Sequence, residues 1–155
     1  MEKKTRLDTR LQSEGAEFLV LGNLLIEGIS AFKAYHNFKG YDLVAVNAES
    51  NTSARIQVKS RFQTGWDGFI INNLDCDFVV FVSLNRGFTK IKKNGDSGIM
   101  APDCYIFPIS YIIEAAKEKS GWGKITKSKL KNFADYKNRW ELVSDFLINQ
   151  LPDKP

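Results

Sequence analysis

The sequence predicts an α/β fold in which a mixed sheet of about five strands is flanked by helices. Three observations lead there. A helical stretch opens the chain, three short extended runs separated by turns follow it, and later comes a nearly unbroken apolar run of the kind a strand covered on both faces requires. The 155 residues, 43% hydrophobic and 26% charged, fall in the size range of one domain with a single core, and residues 1–155 are read as one unit.

Residues 8–27 read as the first helix because Leu11, Phe18, Leu21 and Leu25 recur at helical spacing, with Gly28 as the stop. Gly15 and Gly22 weaken this helix without breaking it. Residues 30–37, 41–48 and 54–62 read as three strands of a meander, separated by Lys39-Gly40 and by the polar turn 49–53. After Gln63-Thr64-Gly65 the pattern is irregular until segment 77–84, where Phe78-Val79-Val80-Phe81-Val82 predicts a central strand. Segment 86–100, with Gly87, Gly95 and Gly98 and the basic residues Arg86, Lys90, Lys92 and Lys93, predicts a hairpin or mobile loop. Residues 104–108 read as a last strand, and Pro108 places it at an edge or end. Ser110 is the expected N-cap of a helix over 111–119, with Glu114 near the capping-box offset. Trp140, Leu142, Val143, Phe146 and Leu147 give segment 136–151 the stripe of a terminal helix packed on the sheet.

Composition narrows the function classes. The longest apolar run, residues 18–26, is broken by Gly22 and Asn23, and it is far shorter than the ~20 residues of a membrane span. The start Met-Glu-Lys-Lys-Thr-Arg leads into polar sequence instead of a leader's apolar core. A soluble, cytoplasmic protein is therefore expected. Cys76 and Cys104 lack metal-ligand spacing, and His36 is the only histidine, so the thiols read as small apolar fillers and no zinc site is expected. The net charge of +4 and pI near 9.0 suit a polyanionic partner. Segment 117–139 concentrates eight Lys or Arg against Glu118 and Asp135, which reads either as a phosphate-facing surface or as a solvated lysine-rich face.

The chemistry centres on Tyr41-Asp42-Leu43-Val44 and Ile56-Gln57-Val58-Lys59-Ser60. Gln57 and Lys59 stand two apart on a strand and project from one face, while Ile56 and Val58 project from the other. If the intervening turn is residues 49–52, Asp42 lies opposite Lys59 and Val44 opposite Gln57. One face then carries a carboxylate, an amide oxygen and an ammonium. Such a set suits phosphodiester hydrolysis: Mg²⁺ takes oxygen ligands, polarises phosphate and acidifies bound water, and a lysine stabilises developing charge. Glu17 on the first helix adds a second acid. The plainer alternative is a cross-strand Asp42–Lys59 ion pair, worth ~0.2–1 kcal/mol, with Glu14 and Glu17 as solvated surface acids.

A helix-borne Glu17, preceded by Gly15-Ala16, an Asp42 opening the second strand and Gln57-Val58-Lys59 on the third together resemble the signature of the PD-(D/E)xK nuclease superfamily. That superfamily includes many restriction endonucleases and archaeal Holliday junction resolvases, and the Gln-x-Lys form looks most like its Mrr-type branch. The resemblance spans residues 12–62 with motifs and runs more loosely through the two later strands. It implies a restriction endonuclease-like fold and an endonuclease that hydrolyses DNA with Mg²⁺ or Mn²⁺, working as a homodimer. Asp42, Gln57 and Glu17 would be its metal ligands and Lys59 its catalytic lysine. The chain departs from the pattern twice: Gln57 stands where an acid is commonest, and segment 63–76, with Gly65, Gly68 and Asn72-Asn73, stands where the family has a crossover helix. The first departure sustains an alternative, a catalytically inactive nucleic-acid-binding or protein-interaction module on the same scaffold. His36 and Arg61 are further candidates for phosphate contact, and Trp66 and Trp122 for base stacking; Trp140 is assigned to the core.

Overall fold

The computed structural model describes residues 6–35 and 40–150. Helix α1 (Arg10–Ile26) buries Ala16, Val20 and Leu24, one residue per turn on a single face. Gly28, at φ +77°, turns the chain out of the helix, a conformation glycine adopts without steric cost. Strands β1 (Ser30–Lys33), β2 (Leu43–Asn47) and β3 (Thr52–Arg61) then form the expected antiparallel meander. After the short strand β4 (Gly68–Ile70) come β5 (Phe78–Ser83) and β6 (Asp103–Pro108). Helix α2 (Ile109–Ala116), strand β7 (Lys124–Thr126), two 3₁₀ turns (Lys127–Lys129 and Phe133–Tyr136) and helix α3 (Glu141–Asn149) complete the chain.

The main sheet has the order β1-β2-β3-β5-β6. β3 and β5 run parallel, and every other neighbouring pair in this sheet is antiparallel. The fold is thus the mixed α/β architecture that the sequence predicts, with five strands flanked by helices. β5 lies inside the sheet, and all six of its residues are buried, which explains its lack of apolar alternation. On one face Ala54, Ile56, Val80, Val82 and Ile106 pack beneath α1 and α3, with Trp140 in the same cluster. On the other, Val79, Phe81, Tyr105 and Phe107 pack with α2, Phe69, Ile125 and Trp66.

Several expectations change. The β2–β3 register pairs Leu43 with Ile56 and Asn47 with Thr52, so the turn is residues 48–51 and not 49–52. Val44 therefore faces Arg55 instead of Gln57, and Asp42 falls beside Gln57 instead of Lys59. A slip of two residues leaves each side chain on its expected face, whereas a slip of one would have inverted the sheet. The crossover from β3 to β5 contains β4, which pairs antiparallel with β7, where the family pattern has a helix. α2 begins at Ile109 with Pro108 in the N-cap position and no side-chain cap, so Ser110 lies inside the first turn. α3 begins only at Glu141, because Phe133–Tyr136 forms a separate 3₁₀ turn. Trp66 is buried against Phe81 and Phe133, which removes it as an exposed stacking platform; Trp122 is exposed. His36 lies outside the described residues.

Candidate active site

β3 extends past the start of β2, so Gln57 and Lys59 project at the end of the meander where the chain enters β2 through Asp42. The Asp42 N–H donates to Ile56 O, and its Oδ2 accepts the Val58 N–H at 2.7 Å. The carboxylate is thereby fixed to the backbone of the strand that carries the amide and the lysine.

Gln57 is buried. Its Nε2 donates to Gly40 O at 2.8 Å and to Asn73 O at 3.2 Å. Both partners are carbonyls that only accept, so chemistry alone settles which end of the amide faces them. The other end, Oε1, is buried and has no hydrogen-bond partner. A buried acceptor left unsatisfied costs about 1–3 kcal/mol, and such orphans are rare in folded proteins. Among the described residues the other buried side-chain oxygen without a partner is Gln12 Oε1.

Glu17 enters from α1. Its Oε2 is 3.1 Å from Lys33 Nζ on β1, and Glu14, one helical turn earlier, also pairs with that ammonium. The Lys33 side chain is only 6% exposed and that of Glu17 22%, whereas Glu14 is 53% exposed, so the inner pair is shielded and the outer acid meets water. Burial pushes the Glu17 carboxyl up, and the charge of Asp42 pushes it further; Lys33 opposes both without reversing them. Burial pushes the Lys33 ammonium down, but Glu14 and Glu17 together outweigh it and leave its pKa raised. Lys33 was not singled out by sequence, although its signal was present. It occupies an inward position of β1, whose burial alternates, and faces acids spaced three apart on a helix.

Lys59 makes no hydrogen bond or ion pair among the described residues. Burial holds its pKa below the ordinary lysine value, and Asp42 only partly offsets that. The direct Asp42–Lys59 ion pair of the plainer reading does not form, yet Asp42 exerts its field on Glu17 and on Lys59 alike. Asp42 thus links the helix-borne acid to the strand-borne lysine. Among the described residues, no group of three His, Cys, Asp or Glu side chains is placed to hold a metal ion. The oxygen donors on this part of the sheet are the carboxylate of Asp42, bonded to the Val58 N–H, and the unpartnered amide oxygen of Gln57, with Glu17 on α1. This all-oxygen set, with its unsatisfied member, fits a hard cation such as Mg²⁺.

Neighbouring candidates are otherwise engaged. Arg61 donates from Nε to Gly68 O at 2.8 Å and lies 3.4 Å from Asp67, so it braces the start of β4. Cys76 and Cys104 are buried thiols pushed up to about 11 by burial. Both stay protonated at neutral pH, as poor nucleophiles and metal ligands. Five of the eight basic residues of segment 117–139 are in ion pairs: Lys117 with Glu114, Lys124 with Asp67, Lys137 with Asp103 and Arg139 with Glu141, all acids outside the segment, and Lys129 with Glu118 inside it. Beside the site strand, Ser60, Arg61, Gln63, Thr64, Trp66 and Thr89 contribute to a cleft of about 560 Å³.

No family model and no curated protein matches the chain. Its fold is nonetheless one found among nucleases. The solved structure of a bacterial homing endonuclease, I-Ssp6803I, is similar to it, with 19% sequence identity and a TM-score of 0.59. The match covers 92% of this chain and 97% of that one. No helix among the described residues is long and apolar enough to cross a membrane.

Proposed function

We propose that this chain is an endonuclease of the PD-(D/E)xK type that hydrolyses phosphodiester bonds in DNA, with Mg²⁺ or Mn²⁺ held by Asp42 and Gln57 and assisted by Glu17. The observation that carries the reading is the buried, partnerless Oε1 of Gln57, aimed away from two carbonyls that pin its amide nitrogen. The fold shared with a homing endonuclease agrees with it. A bound cation would polarise a phosphate oxygen and lower the pKa of a coordinated water. Asp42 supplies the anchored carboxylate, its orientation fixed by the Val58 N–H. Lys59, unpaired and partly desolvated, has three donors free for a phosphate oxygen or an attacking water. Glu17 adds charge while Lys33 fixes its direction. Two such sites acting on two strands suit a homodimer.

Supercoiled, linear and branched DNA incubated with Mg²⁺ or Mn²⁺ provides the test. The wild type is expected to cut at least one form, and Asp42→Ala and Lys59→Ala each to slow cutting by about 100-fold or more. Binding without cutting in either cation would assign the chain to the inactive-module alternative and end the nuclease reading.

A further inference from the structure

Composition points to segment 117–139, where Lys119, Lys127 and Lys131 form no ion pair among the described residues, but a second set of such lysines lies outside it. Five of the eight basic residues in segment 117–139 sit in ion pairs. Such exposed pairs contribute little stability, but they cancel the local field. Lys119 instead reaches Ile71 O, and Lys127 lies over the rings of Trp66 and Phe133. Lys90, Lys92 and Lys93 likewise form no ion pair among the described residues, Lys92 Nζ lying 4.6 Å from the centroid of the Phe88 ring, and every residue from 90 to 96 is exposed.

These lysines crown an arm with a firmly built base. The Thr64 N–H donates to Gly87 O, its hydroxyl donates to Gly98 O at 2.6 Å, and the same oxygen accepts the Gly87 N–H. Phe88 packs so closely under Gly98 that a Cβ there would lie 2.5 Å from its ring. Arg86 spends its guanidinium on Leu84 O and Met100 O. Towards the tip the Phe88 N–H donates to Ser97 O and the Lys92 N–H to Asp96 O, and Gly95 N–H closes the turn onto Lys92 O with φ +85°. Residues 86–100 are therefore an irregular two-stranded ribbon with a basic tip. A two-stranded ribbon is a shape that the major groove, ~12 Å wide, admits.

The arm also stands beside the candidate site. Thr64, which anchors the arm's base, is five residues beyond Lys59, a span of at most roughly 17 Å of chain. The cleft lined by Ser60 and Arg61 is lined also by Thr89 at the arm's base. From this placement we infer that the 86–100 arm is a duplex-DNA contact, with Lys90, Lys92 and Lys93 gripping backbone phosphates to one side of the scissile bond. The inference rests on the nuclease reading for its scissile bond, but not for the contact itself.

The test measures binding of the full chain to a fluorescent duplex in EDTA across a salt series, so that it does not depend on cutting. Replacing Lys90, Lys92 and Lys93 together by Ala is expected to reduce the slope of log K against log salt by about 2.7, at ~0.9 for each phosphate no longer neutralised. A charge-conserving control that changes Glu114, Lys117, Glu118 and Lys129 together to Gln is expected to leave the slope within experimental error. Unchanged melting temperatures would establish that both variants are folded. A wild type and an arm variant with equal slopes would overturn the proposal, as would a wild type that binds no duplex. Binding to polyglutamate through these lysines without duplex binding would also overturn it and assign the arm to an acidic protein. An arm-dependent slope in a chain that never cuts DNA would support the contact while refuting the nuclease reading.

Discussion

The amide of Gln57 is held by two main-chain carbonyls, Gly40 O and Asn73 O, and that arrangement gives a structural reason for the missing acid. A carboxylate at this position cannot donate to either carbonyl, whereas an amide satisfies both and still presents an oxygen. Gln57→Glu is therefore expected to lower stability by about 1–3 kcal/mol, the cost of stranding buried acceptors, as read from the denaturant midpoint. The same variant should bind Mn²⁺ more tightly in calorimetry, by about tenfold if the added charge contributes ~1.4 kcal/mol. Weaker binding would remove position 57 from the metal's shell. Lys59 presents the opposite balance. Its pKa is depressed by burial, so between its folded value and 10.5 the unfolded chain binds more protons and stability rises with pH. At neutral pH the charged form is thus a cost to the fold, which Lys59→Met should remove, raising the melting temperature by ~2–4 °C for each kcal/mol gained. The difference between the two proteins should shrink as pH climbs towards 10.5, and cutting should be lost at every pH.

Among the elements, the small β4–β7 sheet holds the crossover that makes β3 and β5 parallel. Gly68, at φ +153°, lies so close to β7 that a Cβ would stand 2.2 Å from Ile125 O. Gly68→Ala should consequently part β4 from β7, break the hydrogen bond from Arg61 to Gly68 O and destabilise the protein by ~2–3 kcal/mol, measurable by chemical denaturation. Neither strand was legible in the sequence, because three residues are too few to display a period and the pairing joins distant segments. The longer elements were legible for the converse reason. α1 is legible as a helix-length apolar stretch ending at Gly28, although Leu11, Phe18 and Leu25, on which the reading rests, are exposed and the buried stripe is Ala16, Val20 and Leu24. β5 is legible through its unbroken apolar run. The site face followed from the two-residue period of β3, which holds whatever the register, so misplacing the turn by a residue moved the Asp42 partner without moving the face. The missed Lys33 bridge depends on how α1 lies against β1, which no local pattern encodes.

Over the whole molecule, net charge proved a poor guide to where the field lies. Segment 117–139 looks basic because the acids that neutralise it include Asp67 and Asp103, far off in sequence, while the arm at 86–100 looks ordinary because it holds fewer cations that happen to stay unpaired. A second consequence comes from β5. It is bonded on both edges, to β3 and β6, and covered on both faces by apolar side chains, and Lys59 rides on the adjoining strand opposite Phe81. The platform under Lys59 has almost no freedom to yield. If the chain cuts DNA as proposed, a duplex seated across that platform must do the bending itself, so sequences that flex readily are favoured over stiff ones even at positions the protein never touches.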